Sequence, residues 1–219
     1  MTDKARILIV DDHPLVREWL GHLIERSPDL AVCAEAEDSD EALKMIAETK
    51  PHLAIIDLSL GAASGLDLIR QIRSSFPEVA MIVLSMHDEQ VYAERSIRAG
   101  ARGYIMKRES TKNIVDAIHE VLKGNLYLSK KMTMHIVQKV VSPDGANAEA
   151  SVAQLSDREL EVFKLLGQGY EINEIAKMLD VNIKTVHTYC ARMREKMKVG
   201  TAAELLREAL RWTGTQSPS

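Results

Sequence analysis

Residues 53-LAIIDLSL-60 set four apolar side chains directly before one carboxylate, Asp57, with Pro51 and Gly61 on either side. An apolar run of this length without polar alternation reads as a strand buried on both faces, the habit of a parallel sheet covered by helices. A carboxylate at its C-terminal end stands on the rim where open α/β sheets carry their chemistry.

The flanking sequence repeats this unit. Between Arg6 and Leu122, strand-like and helix-like segments alternate five times, with apolar runs at 6-RILIV-10, 30-LAVCA-34, 80-AMIVL-84 and 103-GYIM-106. Leu15, Leu20, Leu23 and Ile24 are assigned to one face of the first helix. Further helical patterns cover 39-SDEALKMIAE-48, 65-GLDLIRQIRSSF-76, 89-EQVYAERSIRAG-100 and 111-TKNIVDAIHEVLKG-124. Strands joined by short helical crossovers pair in parallel with helices on both faces. Five units in this length predict an α/β flavodoxin-like, doubly wound, five-stranded parallel sheet of order 2-1-3-4-5.

Such a sheet gathers its C-terminal strand ends on one rim. Asp11 and Asp12 follow the first strand, Asp57 the third, Ser85 the fourth and Lys107 the fifth. Carboxylates this close repel one another and raise some of their pKa values unless a cation intervenes. An oxygen-only ligand set suits Mg²⁺, which takes one or two carboxylates and completes its shell with water and phosphoryl oxygens. With Lys107 as a point charge and Ser85 as a hydroxyl donor, Asp57 is predicted to attack phosphorus as a nucleophile. Taken singly, an acidic doublet after a strand reads as a turn or helix cap. The joint occurrence in strand order favours the site.

The bulk numbers set the frame. The chain has 219 residues, 46% hydrophobic and 27% charged, which fits one large or two ordinary globular domains. No apolar run matches a membrane span and the N-terminus has no signal-like apolar region, so a cytoplasmic protein without a membrane partner is expected. Cys33 and Cys190 show no metal-ligand spacing. Residues 1–141 carry 18 basic and 21 acidic side chains, residues 152–219 carry 10 and 9, and Lys184 to Lys198 holds five basic residues against Glu195. That stripe is either a solvated face or an electrostatic footprint for nucleic acid.

The motifs 10-VDDHP-14, 57-DLSLGAASG-65, 84-LSMHD-88 and 104-YIMK-107 together resemble the receiver domain of bacterial two-component response regulators, over residues 6 to about 123. The resemblance implies phosphoacceptance at Asp57 and Mg²⁺ binding by Asp11, Asp12, Asp57 and the backbone carbonyl of Ser59. It also implies switch roles for Ser85 and Lys107, and an aromatic rotamer switch at Tyr104. This chain departs from the family's usual Met-Pro at Leu60-Gly61; glycine frees φ where proline fixes it, so a more mobile loop is expected. His13 precedes Pro14, a good first helical residue, and is read as a helix-entry residue rather than a catalytic one.

Residues 125-NLYLSKKMTMHIVQKVV-141 read as a further amphipathic helix with Met132, Ile136, Val137 and Val140 as its apolar set. The run 142-SPDGANAEAS-151 reads as a linker. The expected domains are 1–124, a connecting helix and linker over 125–151, and 152–219. The last is all-helical: Ser156 and Glu159 form a capping box for 157–168, 172–180 and 183–198 flank a tight turn at Val181-Asn182, and Thr201 and Glu204 cap 202–212. Val186, Cys190, Met193 and Met197 recur at helical spacing as a buried stripe. Lys184, Thr185, His187, Thr188 and Arg192 are thereby left outward as candidate contacts to double-stranded DNA, with the helix N-terminus open to a phosphate.

The sequence from 155-LSDREL-160 to Val199 closely resembles the LuxR-type helix-turn-helix, and the whole chain resembles the NarL/FixJ class of response regulators. The resemblance implies a receiver followed by an all-α four-helix DNA-binding domain. The implied protein is a transcription regulator rather than an enzyme, phosphorylated by a sensor histidine kinase and binding DNA as a homodimer when phosphorylated. His187 and Ala191 stand where relatives commonly carry lysine or a polar base contact. Two other readings remain: a Mg²⁺-dependent phosphatase using the same nucleophile, and a constitutive DNA-binding protein whose receiver only dimerises.

Overall fold

The structure, a computed structural model, describes residues 4–60, 63–87, 89–108, 111–141, 152 and 154–216. Contacts divide the chain into two units, Met1–Val141 and Ser142–Ser219.

The first unit opens with β1 (Ala5–Val10), α1 (Pro14–Glu25), β2 (Leu30–Ala36), α2 (Ser39–Thr49) and β3 (Leu53–Ile56). A two-residue hairpin follows, β4 (Ser59–Leu60) with β5 (Ala63–Ser64), and leads into α3 (Gly65–Ser75). Then come β6 (Ala80–Ser85), α4 (Glu89–Ala99), β7 (Gly103–Met106), α5 (Thr111–Leu122) and α6 (Lys130–Val141). The main sheet is parallel with order β2-β1-β3-β6-β7, the expected doubly wound order. Leu53 to Ile56 are buried on both faces as the apolar run requires. One face packs Ile7, Ile9, Leu53, Ile55, Ile82, Leu84 and Ile105 against Leu20 and Ile24 of α1 and Ile114, Ala117, Ile118 and Val121 of α5.

Two local expectations change. Leu15 is 79% exposed, because it lies five positions before Leu20 and is set off the helix face; Val16 packs there instead. After Asp57, Ser59–Leu60 pairs with Ala63–Ser64, and Gly61 lies outside the described residues. Residues 125–141 were read as one helix, but the helix begins at Lys130, and by its contacts the segment groups with the first unit. Tyr127 adds itself to the sheet edge: its N–H donates to the Arg102 carbonyl (2.9 Å) and its carbonyl accepts from the Tyr104 N–H (3.0 Å). Ser129 donates through its amide and hydroxyl to Glu89 at the start of α4, and Met132 is fully buried. Of the apolar set assigned to this helix, Val137 is half exposed and the Val140 side chain lies outside the described residues. The expected linker, 142–151, lies outside them too.

The second unit has four helices among the described residues: α7 (Asp157–Gly167), α8 (Ile172–Met178), α9 (Ile183–Met197) and α10 (Ala202–Gln216). Both expected capping boxes form. The Ser156 N–H donates to Glu159 Oε2 (2.7 Å) and the Glu159 N–H to Ser156 Oγ (3.4 Å); Thr201 and Glu204 do the same at 3.1 and 3.2 Å. Asp180 takes a left-handed conformation (φ 50°) and Asn182 caps α9, which makes the turn between α8 and α9. The core joins Leu160, Phe163, Ile175, Val186, Met193, Leu205 and Ala209, with the Trp212 ring 5.9 Å from that of Phe163. α10 runs past its expected end at Trp212 to Gln216, and Thr213 donates its hydroxyl to the Gly167 carbonyl (2.8 Å).

Candidate functional site

Asp11, Asp57 and Lys107 each stand one position beyond a strand and remain tied to the sheet by their amides. The Asp11 N–H donates to the Ala36 carbonyl (3.1 Å), that of Asp57 to Val10 (2.9 Å) and that of Lys107 to Ser85 (2.8 Å). Strand register therefore sets the side chains on a common rim. Lys107 Nζ lies 2.7 Å from Asp57 Oδ2 and 2.6 Å from Asp11 Oδ2, and all three residues are buried or nearly so. The other Asp57 oxygen, Oδ1, is buried with no hydrogen bond of ordinary geometry.

Burial pushes the Asp57 carboxyl up. Lys107 pulls it back through a hydrogen bond and its charge, Asp11 raises it further and the Ser59 amide lowers it, and the net shift is upward. For Lys107, burial alone favours the neutral amine, but the two carboxylates outweigh it and its pKa rises, so it stays charged. Asp11, Asp12, His13 and Asp57 each offer a ligand atom, all within 4.8 Å of one another. A clustered carboxylate set containing a buried, unsatisfied oxygen fits a small divalent cation such as Mg²⁺.

Ser85 and Tyr104 are fully buried. They meet at a residue to which the sequence assigned no role, His87. Its amide donates to Ser85 Oγ (3.2 Å), its carbonyl accepts the Tyr104 hydroxyl (2.9 Å), and its Nε2 lies 3.1 Å from Ser59 Oγ. His87 thereby ties the segment after Asp57 to the segment after β6. No period or spacing in the sequence points to it. Gly65 is the second omission: a Cβ there would stand 2.2 Å from the Asp57 carbonyl oxygen, so the start of α3 presses on the backbone of the acid. His13 is the N-cap of α1 with Pro14 following, as its sequence context implies.

In the second unit, Lys184, His187, Thr188 and Arg192 are exposed along α9 and Thr185 is partly so. They share one helix and lie apart in sequence and unit from the acidic rim. The Thr188 hydroxyl donates to the Lys184 carbonyl (2.9 Å), and Asn182 already accepts the Lys184 N–H (2.9 Å), so part of the helix N-terminus is capped from within. The basic stripe also divides. Lys196 turns back to the buried Glu159 (2.6 Å) and crosslinks α9 to α7, while Lys184, Arg192 and Lys198 stay exposed. Within the expected stripe Val186 and Met193 are buried, whereas Cys190 and Met197 are only half-buried. Burial pushes the Cys190 thiol up, away from the reactive thiolate.

The Glu159 contact carries a pH dependence. Burial raises the carboxyl, but Lys196 and the Ser156 amide and hydroxyl outweigh it and hold it below its ordinary value. A carboxyl depressed in the folded state contributes stability above its unfolded pKa and loses it as pH falls through the folded pKa. The second unit of Glu159→Gln is expected to be less stable at neutral pH and to lose less on acidification than wild type. Thermal unfolding followed by Trp212 fluorescence in a Trp19→Phe background checks this; parallel acid limbs would refute it.

Comparison with known proteins finds a separate family for each of the two units. Residues 7–119 match the response regulator receiver domain, and residues 153–209 match the bacterial regulatory proteins of the luxR family. The oxygen regulatory protein NreC of Staphylococcus aureus is 36% identical over 210 residues, covering 94% of this chain and 97% of NreC. Among solved structures, RcsB of Salmonella enterica serovar Typhimurium bound to promoter P1flhDC in the presence of the phosphomimetic BeF₃⁻ is 25% identical, with a TM-score of 0.62 over 94% of this chain and 98% of that one. A structure of two RcsB dimers bound to two parallel DNAs is also 25% identical, with a TM-score of 0.58 and the same coverage. No described helix is long and apolar enough to cross a membrane. With a receiver at its N-terminal end and a LuxR-type helix-turn-helix at its C-terminal end, the chain belongs to the NarL/FixJ class of response regulators, regulators of transcription that bind DNA under the control of phosphorylation.

Proposed function

We propose that Asp57 is the phosphoacceptor and that its phosphorylation controls dimerisation and DNA binding through α9. The observation that carries this is the division of labour on the Asp57 carboxylate, with Oδ2 held by Lys107 and buried Oδ1 without a hydrogen bond of ordinary geometry. An oxygen of Asp57 attacks phosphorus; the new O–P bond forms as the donor's P–N or P–O bond breaks, and the leaving group takes a proton. Lys107 holds the nucleophile and stays charged to meet a phosphoryl oxygen. Asp11, Asp12, Asp57 and the Ser59 carbonyl are the residues to hold Mg²⁺, which when bound neutralises charge developing on the phosphoryl oxygens. The Ser85 hydroxyl turns to the phosphoryl group, loosening its hold on His87, and Tyr104 follows through its bond to the His87 carbonyl.

The donor is a sensor histidine kinase or a small phosphodonor, and the protein works in the cytoplasm as a transcription factor, not as an enzyme acting on small molecules. Residues 1–124 take the receiver role, 125–151 the connection and 152–219 the DNA-binding role. Phosphorylated homodimers set two copies of α9 on two half-sites, as the DNA-bound RcsB dimers suggest. Lys184 and Thr185 then meet phosphates and His187, Thr188 and Arg192 meet base edges.

Selection of a genomic DNA library on wild type and Asp57→Ala, each with and without phosphoramidate plus Mg²⁺, tests this. Enrichment only in donor-treated wild type, with a mass gain of one phosphoryl group, is expected. Equal enrichment in all four samples would leave a constitutive DNA-binding protein. No enrichment, with steady turnover of a phosphate ester, would restore the enzyme reading.

A further inference from the structure

We propose that His13 is a fourth side-chain donor of the acidic pocket, and that the pocket takes a first-row transition ion such as Mn²⁺ in preference to Mg²⁺. The inference rests on the reading of this pocket as a cation site. His13 occupies the N-cap of α1, a position at which a side chain normally accepts an amide hydrogen from the first helical turn, but its imidazole makes no such bond. The ring turns instead to the carboxylates, with Nδ1 2.6 Å from Asp12 Oδ1 and 3.3 Å from Asp11 Oδ1. The Asp11 Oδ1 atom also accepts the His13 amide at 3.0 Å, which fixes the backbone of the imidazole beside the pocket.

An independent observation shows that the pocket asks for a ligand. Asp57 is 4% exposed, and its Oδ1 has no hydrogen-bonding partner of ordinary geometry although the oxygen is buried. Lys107 satisfies the opposite oxygens of Asp57 and Asp11, so it does not fill this need. The four candidate donors lie within 4.8 Å of one another, close enough to close on one ion. A bound ion would replace the close Nδ1–Asp12 contact by bonds from both groups to the metal, with the imidazole carrying its proton on Nε2.

The imidazole decides which ion. Carboxylate and carbonyl oxygens suit Mg²⁺, which is hard and keeps its waters. A nitrogen donor adds little for Mg²⁺ and more for first-row transition ions, whose affinity for nitrogen-containing sites rises along the series from Mn²⁺. The side chain of His13 is exposed, so it can follow an ion without repacking the core.

The test uses full-length protein and serine at position 13, which keeps a favourable helix cap and removes the nitrogen. Electron paramagnetic resonance of Mn²⁺ measures binding by loss of the free-ion signal, Mg²⁺ competition gives the affinity ratio, and electron spin-echo modulation detects ¹⁴N bonded to the bound ion. Wild type is expected to show nitrogen coupling, and His13→Ser to lose it together with about tenfold in Mn²⁺ affinity while Mg²⁺ affinity stays within about twofold. Bound Mn²⁺ without nitrogen coupling in wild type, or coupling that persists in His13→Ser, would overturn the role of His13 and leave the cation site standing. Failure of both ions to bind wild type would overturn the cation site itself.

Discussion

Lys107→Ala is expected to lower the stability of the first unit by about 3 kcal/mol at neutral pH in the presence of a chelator, because removing one partner of a buried ion pair strands the other. Here two carboxylates are stranded. Asp11 and Asp57 are 2% and 4% exposed, and both lose the ammonium that now stands within 2.7 Å. The Asp57 carboxyl is raised even with Lys107 present, chiefly by burial. Without the lysine it rises further. A carboxyl raised in the folded state contributes stability that is complete below its unfolded value, 3.8, and lost as pH rises through the folded pKa. The penalty in Lys107→Ala therefore grows with rising pH and shrinks on acidification. Lys107 itself is raised, so in wild type the ammonium stays charged through the neutral range and its contribution is lost in alkali as pH passes its folded pKa.

Two conditions separate this electrostatic cost from a loss of packing. Adding Asp57→Asn to Lys107→Ala removes one stranded charge and should restore most of the stability. Saturating Mg²⁺ should restore part of it, since an ion that binds only the folded state stabilises it by mass action. The chain has two tryptophans, Trp19 in the first unit and Trp212 in the second. Fluorescence of Trp19 in a Trp212→Phe background therefore reports urea unfolding of the first unit alone. A Lys107→Ala midpoint equal to wild type at pH 7 would show that the lysine does not hold the two acids in the folded protein.

What the sequence made legible follows from which groups the backbone controls. The apolar run ending at Asp57 specified a strand buried on both faces, and parallel register then brought Asp11, Asp57 and Lys107 together. Helix ends were equally readable, because capping boxes at Ser156 and Thr201 are local and both partners lie three residues apart. His87 was not readable. Its three connections, to Ser59, Ser85 and Tyr104, depend on the path of two loops, and no period in the sequence encodes that path. The pairing of Tyr127 with β7 escaped for a similar reason: an amphipathic pattern from 125 onward suggested helix, but the free edge of β7 claimed the first residues before the helix begins at Lys130. The split of the basic stripe was hidden because Lys196 finds its partner 37 positions away, at Glu159.

Gly65→Ala should be the more damaging of two identical substitutions in the first unit, and Gly21→Ala should have the opposite sign. An added Cβ at Gly65 would meet the Asp57 carbonyl oxygen at 2.2 Å, the Leu58 Cα at 2.7 Å and the Asp57 carbonyl carbon at 3.0 Å. All three are backbone atoms, so no rotamer relieves the overlap; α3 or the segment carrying Asp57 must move. Overpacking of this kind costs roughly 1–3 kcal/mol and occasionally more, and a collision with fixed backbone belongs near the top, about 3 kcal/mol. At Gly21, in the middle of α1, the nearest atom to an added Cβ is Glu35 Oε1 at 3.9 Å. There alanine only removes backbone freedom from the unfolded chain and adds helix propensity, a gain of about 0.5–1 kcal/mol. The same clash ties stability to chemistry, because whatever relieves it displaces the backbone that aims Asp57. Gly65→Ala should therefore accept phosphate from phosphoramidate at least about tenfold more slowly than wild type even at temperatures where it remains folded, since misplacement of a reacting group by about 1 Å costs up to 10²-fold. Gly21→Ala should keep the wild-type rate. A Gly65→Ala protein that melts and is phosphorylated like wild type would mean that the close approach of α3 to Asp57 neither stores the fold's tolerance at this point nor sets the position of the nucleophile.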